Sequence, residues 1–117
     1  MKWMIEDEAF DQLVSNHRQN DKLRGSRGEI DFIPICKLFT ASGAGTWLLT
    51  EADEDGLAFG LCDLGFGTPE LGYVSLDELA GVRGFGGLGV EQDTSFETVL
   101  RLSKWAEQAG RDGAIRA

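Results

Sequence analysis

The sequence predicts an α+β fold in which an antiparallel meander sheet of about four strands carries helices near both chain ends and a short middle helix. Two observations lead to this prediction. Apolar residues recur at helical spacing early and late in the chain, whereas the middle consists of short apolar runs separated by glycine-containing turns. Turns this short join antiparallel neighbours, because parallel strands need a crossover of roughly a dozen residues. We expect the 117 residues to form a single domain.

The first predicted element is an N-terminal helix over about residues 6–17. Its apolar face consists of Ala9, Phe10, Leu13 and Val14. The acidic residues at positions 6 to 8 suit the positive end of the helix dipole. A polar loop over residues 20–31 follows, and it contains three basic side chains, Lys22, Arg24 and Arg27.

Four strands are predicted next, over residues 32–40, 46–50, 57–63 and 71–74. The first of them begins near Pro34. A proline suits a strand start or an edge strand, because it cannot donate a hydrogen bond to the ladder. Each connecting segment contains glycine and is short enough to be a hairpin turn. The four strands are therefore predicted to pair in chain order.

Two capping-box patterns predict the remaining helices. Ser75-Leu76-Asp77-Glu78 places a glutamate three residues after a serine and predicts a short helix that ends near Val82. A strand-like stretch lies at 89–91. Thr94-Ser95-Phe96-Glu97 has the same pattern and predicts a C-terminal helix over about 95–109, ended by Gly110. The helices at the two chain ends are expected to pack on one face of the sheet.

The net charge of −9 is concentrated in the middle of the chain. Residues 50–100 contain eleven acidic side chains and one basic side chain, Arg83, which gives this segment a charge of −10. A negative field of this kind repels phosphate backbones and attracts basic surfaces. The expected partner is therefore another protein with a basic surface, and direct nucleic-acid binding is not expected. Solubility is an alternative explanation of the same acidity.

The cellular compartment is predicted from the lack of membrane-spanning and secretory signals in the sequence. No stretch approaches the roughly 20 apolar residues of a membrane helix, and acidic residues lie where a secretory signal would have its apolar run. We therefore expect a cytoplasmic protein without membrane contact. Cys36 and Cys62 are interpreted as buried free thiols, because both have apolar neighbours. A disulfide between them is the alternative, since the sequence does not show whether they meet.

Three patterns that could indicate a nucleotide-binding, calcium-binding or catalytic site lack the necessary sequence context. Residues 84–89 match G-x-G-x-x-G, but a short helix precedes them and a strand follows, the reverse of a dinucleotide-binding turn. Residues 51–56 resemble the start of a calcium loop, but Cys62 stands where the last ligand should be. The single histidine, His17, lies in the N-terminal helix, away from any nucleophile signature. No cofactor is predicted.

A set of segments in the middle of the chain carries a resemblance to a known family. The most specific segment is 70–79, Glu-Leu-Gly-Tyr-Val-Ser-Leu-Asp-Glu-Leu. The others are Lys37–Thr40, Thr46–Glu51, Ala58–Asp63, Val82–Gly84, Gly89–Asp93 and Phe96. Together they cover about residues 30–97 and resemble domain-of-unknown-function family 2958. The resemblance implies a bacterial protein of a plasmid or another mobile element and brings no established active site. Members are sometimes labelled single-stranded DNA endonuclease, although this sequence contains no nuclease motif.

The first functional hypothesis is a small, non-catalytic accessory or inhibitor protein of a bacterial mobile element. It would contact a basic, nucleic-acid-handling partner protein through its acidic middle. An acidic turn between two strands is expected to project into solvent with few folding contacts. The residues predicted to meet the partner are Glu51, Asp53, Glu54, Asp55, Glu70 and Tyr73.

The alternative hypothesis is a metal-dependent single-stranded DNA endonuclease. In that case Glu51, Asp63 and Glu70 would hold Mg²⁺, and the basic loop from Lys22 to Arg27 would hold the DNA strand. The first hypothesis is favoured because the sequence shows no catalytic constellation. Whether the three carboxylates converge within metal-bonding distance distinguishes the two.

Overall fold

A computed structural model describes residues 3–83 and 87–117 of the chain. Its three helices and five strands follow the predicted order along the sequence. They are α1 (Asp7–Asp21), β1 (Cys36–Thr40), β2 (Thr46–Ala52), β3 (Leu57–Asp63), β4 (Glu70–Ser75), α2 (Leu76–Gly81), β5 (Val90–Gln92) and α3 (Leu102–Asp112). The predicted α+β class is confirmed. The G-x-G-x-x-G match begins at residues 84–86, which lie outside the described residues.

The five strands form one antiparallel sheet in the order β4-β3-β2-β1-β5. The predicted meander from β1 to β4 is confirmed. The strand-like stretch near 89–91 supplies the fifth strand, β5, which pairs with β1 through Thr40↔Val90 and Leu38↔Gln92. The register between β2 and β3 shifts between Leu49 and Glu51, so Thr50 forms an irregularity in the ladder.

The helices at the two chain ends lie on opposite faces of the sheet, so the prediction of a single covered face is wrong. One core contains Leu13 of α1 and Leu76 of α2 together with Leu49 of β2. The other core contains Leu102 of α3 together with Leu48 of β2. Successive side chains of a strand point to opposite faces, so the apolar run in β2 needs cover on both.

The start of α3 differs most from the prediction, because the second capping box does not form. The Asp93 carboxylate accepts hydrogen bonds from the Ser95 amide at 3.0 Å and the Ser95 hydroxyl at 2.7 Å, which closes a turn. The helix begins at Leu102 instead. Its early amides bond to a distant segment: Leu102 donates to the Phe32 carbonyl at 2.9 Å, and Ser103 donates to the Asp31 carboxylate at 3.1 Å.

The predicted capping at the start of α2 is confirmed at Ser75. Its side-chain oxygen accepts a hydrogen bond from the Glu78 amide at 3.2 Å. The end of α3 lies beyond Gly110, which is inside the helix. The chain leaves that helix at Gly113, whose φ of 72° is the left-handed conformation that glycine adopts at low cost.

Candidate functional site

The β2–β3 turn, residues 53–56, is organised by Asp53. One oxygen of this carboxylate accepts hydrogen bonds from the amides of Asp55 at 3.0 Å and Leu57 at 2.9 Å. The Asp53 amide in turn donates to the Leu57 carbonyl at 2.9 Å. Asp53 therefore holds the shape of the turn, which is a common role for aspartate in turns.

The turn is fixed between α1 and α2. The prediction that it projects freely into solvent with few folding contacts is therefore wrong. Glu54 forms an ion pair with Arg18 of α1. The Gly56 carbonyl accepts a hydrogen bond from the Leu76 amide of α2 at 2.8 Å. The ring of Trp3 lies against Gly56, where a Cβ atom would be only 2.5 Å from the indole. The turn thus contributes to folding contacts as well as to the surface.

We call the carboxylates around this turn the acidic face. Its members are all exposed, and they are Asp11, Glu54, Asp55, Asp77 and Glu78. Asp11 and Glu54 line the same groove beside α1, which Arg18 and Lys22 border. Asp77 accepts a hydrogen bond from the Trp3 indole at 2.6 Å. The acidic face therefore combines one helix, one turn and a second helix that are far apart in sequence.

Glu51, predicted to be part of a solvated turn, is buried at the end of β2, so it cannot contact a partner. Only 3% of this residue is exposed. Its carboxylate accepts a hydrogen bond from Asn20 at 3.1 Å and an ion-paired hydrogen bond from Arg24 at 2.8 Å. The hydrogen bond to Glu51 raises the pKa of the Arg24 guanidinium above its ordinary value. Because Glu51 is buried and its carboxylate accepts bonds from two donors, its charge stabilises the fold and is not part of the surface.

Asn20 anchors the loop that the sequence predicted as basic. Its side chain exchanges two hydrogen bonds with Ile30: the Asn20 amide donates to the Ile30 carbonyl at 3.0 Å, and the Ile30 amide donates to the Asn20 oxygen at 2.7 Å. Arg24 of the same loop points to Glu51, and Lys22 and Arg27 remain exposed. The loop is therefore held against the sheet and does not present all three cations to one ligand.

The three carboxylates of the nuclease hypothesis do not come together. Glu51 lies opposite Phe59 and Asp63 lies opposite Thr46, so they are separated by most of the length of β2, on the order of 15 Å. Asp63 is buried and accepts hydrogen bonds from the amides of Gly65 and Ile115, each at 2.9 Å.

Glu70 is exposed at the start of β4. It lies opposite Cys62, which packs against the α1 side of the sheet, so its side chain is on the opposite face from Asp63. Within residues 3–83 and 87–117, no group of three or more histidine, cysteine, aspartate or glutamate side chains could hold a metal ion.

The two cysteines are free and lie in or beside the core under α1. Burial raises the pKa of the Cys36 thiol to about 12 and that of the Cys62 thiol to about 11. Both thiols are therefore protonated at neutral pH. A protonated thiol is a poor nucleophile and a poor metal ligand, so this pair does not form a reactive site.

A second surface feature, which we call the apolar strip, lies on the α3 side of the sheet beside β4. It consists of Leu57, Phe59, Leu71 and Tyr73. Leu57 is 47%, Leu71 49% and Tyr73 54% exposed, and the rings of Phe59 and Tyr73 pack with their centroids 5.1 Å apart. The sequence prediction included Tyr73 but missed the leucines. Alternating apolar residues in two paired strands were the available signal.

The comparisons with known proteins identify a family. A family model described as "Protein of unknown function (DUF2958)" matches residues 4–116, nearly the whole chain. The chain belongs to this family. The match extends well beyond the predicted core of about residues 30–97 and includes α1 and α3. No curated protein and no solved structure matches this DUF2958 protein. None of the helices in its described residues is long and apolar enough to cross a membrane.

Proposed function

We propose that this DUF2958 protein is a non-catalytic accessory or inhibitor protein of a bacterial mobile element, acting in the cytoplasm. It would bind a basic, nucleic-acid-handling partner protein and cover the surface that the partner uses for nucleic acid. The acidic face carries this proposal, because its five exposed carboxylates lie on α1, the β2–β3 turn and α2, and the turn contacts both helices.

The distribution of charge supports docking in one orientation. The α1 helix has a net charge of −3 and α2 of −2, whereas α3 on the opposite face has two basic and two acidic residues. The two helices on this side of the sheet are therefore more acidic than the helix on the other side. Charges within a Debye length of about 8 Å act together at physiological salt, so neighbouring carboxylates on this face would steer a basic surface toward it.

Part of the acidic face has no evident task in folding. Among the described residues, the carboxylates of Asp11, Asp55 and Glu78 form neither a hydrogen bond nor an ion pair within the chain. Unpaired like charges destabilise a fold slightly through mutual repulsion. A basic partner would relieve that repulsion on binding, so these three residues are the ones to test.

The experiment begins with affinity capture from cells that carry the host element, followed by identification of the captured protein. Its association rate is then measured with the wild type and with the variant D11N/D55N/E78Q. At about 0.05 M salt the variant should associate at least about tenfold more slowly, and its rate should depend less on salt. The variant E8Q/E91Q/E97Q is the matched control. It removes three exposed carboxylates outside the acidic face and should associate nearly as fast as the wild type.

Two results would contradict the proposal. One is an equal loss of association rate in both triple variants, because net charge rather than the acidic face would then explain binding. The other is degradation of single-stranded DNA by the purified protein with Mg²⁺ or Mn²⁺, which would make it an enzyme. A competition assay completes the test, since the protein should displace DNA from its partner if it covers the nucleic-acid surface.

A further inference from the structure

We infer that β4 accepts an extended segment of a partner protein as a sixth strand of the sheet, and that this segment has alternating apolar residues and basic residues at both ends. This inference rests on the proposed function in taking the partner to be basic. It adds a second contact surface, the open edge of the sheet, and a mode of recognition through main-chain hydrogen bonds.

The geometry of the sheet leaves this edge available. In the described residues β4 pairs only with β3, and its other side faces away from the sheet. The opposite edge strand, β5, has three residues, whereas β4 has six. The pairing of β3 with β4 is regular from Leu57↔Ser75 to Cys62↔Glu70 and contains no bulge. A regular edge of this length offers a complete set of backbone donors and acceptors to an incoming strand.

The edge also lacks the features by which proteins usually prevent strand addition. Natural edge strands often carry lysine, proline or an inward-pointing charge, or they are bulged or covered. Within Glu70–Ser75 the only charged residue is Glu70, at the first position, and Pro69 lies before the strand. The centre of β4, at Gly72 and Tyr73, therefore has no charge or proline that would oppose pairing.

The apolar strip gives the added strand an apolar surface to extend. Leu71 and Tyr73 of β4 lie on the same face as Leu57 and Phe59 of β3, because they are at alternate positions in paired strands. About half of Leu57, Leu71 and Tyr73 is exposed. Every second side chain of a sixth strand would lie beside Leu71 and Tyr73 and extend this strip. The incoming segment should therefore have apolar residues at alternate positions.

The charges at the two ends of β4 select a basic segment over a second copy of this chain. Glu70 lies at one end, and the strand continues at the other end into α2, where Asp77 and Glu78 follow. Antiparallel pairing of two copies would bring Glu70 of each copy to the end that carries Asp77 and Glu78 of the other. Like charges would then oppose each other at both ends, whereas lysine or arginine at these positions would be attracted.

The test uses the full chain labelled with ¹⁵N and a synthetic peptide, Lys-Lys-Val-Thr-Val-Thr-Val-Lys-Lys. Titration should shift the amide signals of β4 and β3 saturably. A version with N-methyl groups on all five central residues has no amide donors on either edge of the strand, so it cannot complete the ladder and should bind at least about tenfold more weakly. A version with glutamate in place of every lysine should also bind more weakly, because it is repelled at both ends.

Variants of the protein locate the contact. L71T/Y73T removes two apolar side chains while keeping residues that favour strands, and it should weaken peptide binding about tenfold or more. F66T is the matched control. Phe66 is 82% exposed in the loop before β4, so its loss should leave binding unchanged. A cooperative unfolding transition and a dispersed amide spectrum show that L71T/Y73T is folded, although the loss of the Phe59–Tyr73 ring contact should lower its denaturation midpoint.

Four results would overturn the inference: no saturable shift at millimolar peptide, shifts centred outside β3 and β4, equal binding of the N-methylated peptide, or a dimer of the protein alone that L71T/Y73T dissociates. The last would assign the edge to a second copy. These failures are distinguishable from failure of the proposed function, because D11N/D55N/E78Q leaves β4 intact. If that variant loses its partner and the peptide does not bind β4, only the strand addition is wrong.

Discussion

Replacing Arg24 with methionine should destabilise the fold because Glu51 would keep its buried charge and lose its cation. The ion pair joins Arg24 Nη2 to Glu51 Oε1 at 2.8 Å, with side-chain exposures of 30% and 4%. Breaking a fully buried pair costs roughly 3–5 kcal/mol, and a hydrogen bond to a charged group contributes about 1.5–3 kcal/mol. Because water reaches Arg24 and Asn20 still donates to Glu51, we expect a loss of about 2 kcal/mol.

The assay is urea unfolding of R24M, with R18M as the matched control. Arg18 forms the same type of pair with Glu54, but both side chains are 68% exposed, so R18M should cost less than about 0.5 kcal/mol. The double variant R24M/E51Q should recover part of the loss, because a neutral amide is cheaper to bury than an unpaired carboxylate. Equal and small effects of R24M and R18M would refute the reasoning. The reasoning would also be refuted if the stability loss of R24M/E51Q equalled the sum of the losses measured separately for R24M and for E51Q.

Three further predictions concern capping, the turn and the thiols. Ser75→Ala should cost roughly 1 kcal/mol without changing the fold, because it removes the acceptor of the Glu78 amide; an unchanged urea midpoint would contradict this role. Asp53→Ala should cost about 1 kcal/mol or more, whereas Asp55→Ala should be nearly neutral, since Asp53 alone accepts two turn amides. Stability should fall as the pH rises above 9.0, the ordinary pKa of the two thiols, toward their folded values of about 11 and about 12, because ionisation then favours the unfolded chain. The C36A variant should show a weaker alkaline loss in unfolding experiments at several pH values.

The predicted bounds agree best with the structure where local signals decide them. β3 was predicted at 57–63 and extends over Leu57–Asp63, between two glycine-containing turns. The Ser75 cap was predicted from the hydroxyl and the glutamate three residues later, and the Ser75 half of it is present. Both features depend on residues close together in the sequence, so their physical causes are visible there.

The start of α3 was missed because a competing local bond and a distant segment determine it. The Asp93 carboxylate accepts hydrogen bonds from the Ser95 amide and hydroxyl, which closes a turn, so Thr94 does not cap a helix. The amides at the true start bond to Phe32 and Asp31, about seventy positions earlier. A sequence pattern shows neither the distant hydrogen-bond acceptors of the helix nor the competing turn at Asp93, because both depend on how the chain packs against the sheet.

In the candidate site, too, the sequence predicts some features of the carboxylates correctly, whereas others depend on residues distant in sequence. Asp55 and Glu54 are exposed as predicted, whereas Glu51, two positions before Asp53, is buried. The sequence shows four acidic residues in one short run and gives no reason to separate them. The separation arises because β2 continues to Ala52 and because Asn20 and Arg24 come from a different part of the chain to satisfy Glu51.

The amino-acid sequence by itself determined the order of strands and helices, the antiparallel meander and the acidity of the middle, because these follow from periodicity, turn residues and composition. Only the tertiary structure decided which sheet face each helix covers, which carboxylates remain in solvent and which edge stays open. Those outcomes depend on contacts between residues distant in sequence: burying the apolar run of β2 requires α1 on one face and α3 on the other. That arrangement leaves the acidic face on the α1 side, and the apolar strip on the α3 side, beside the unpaired edge of β4.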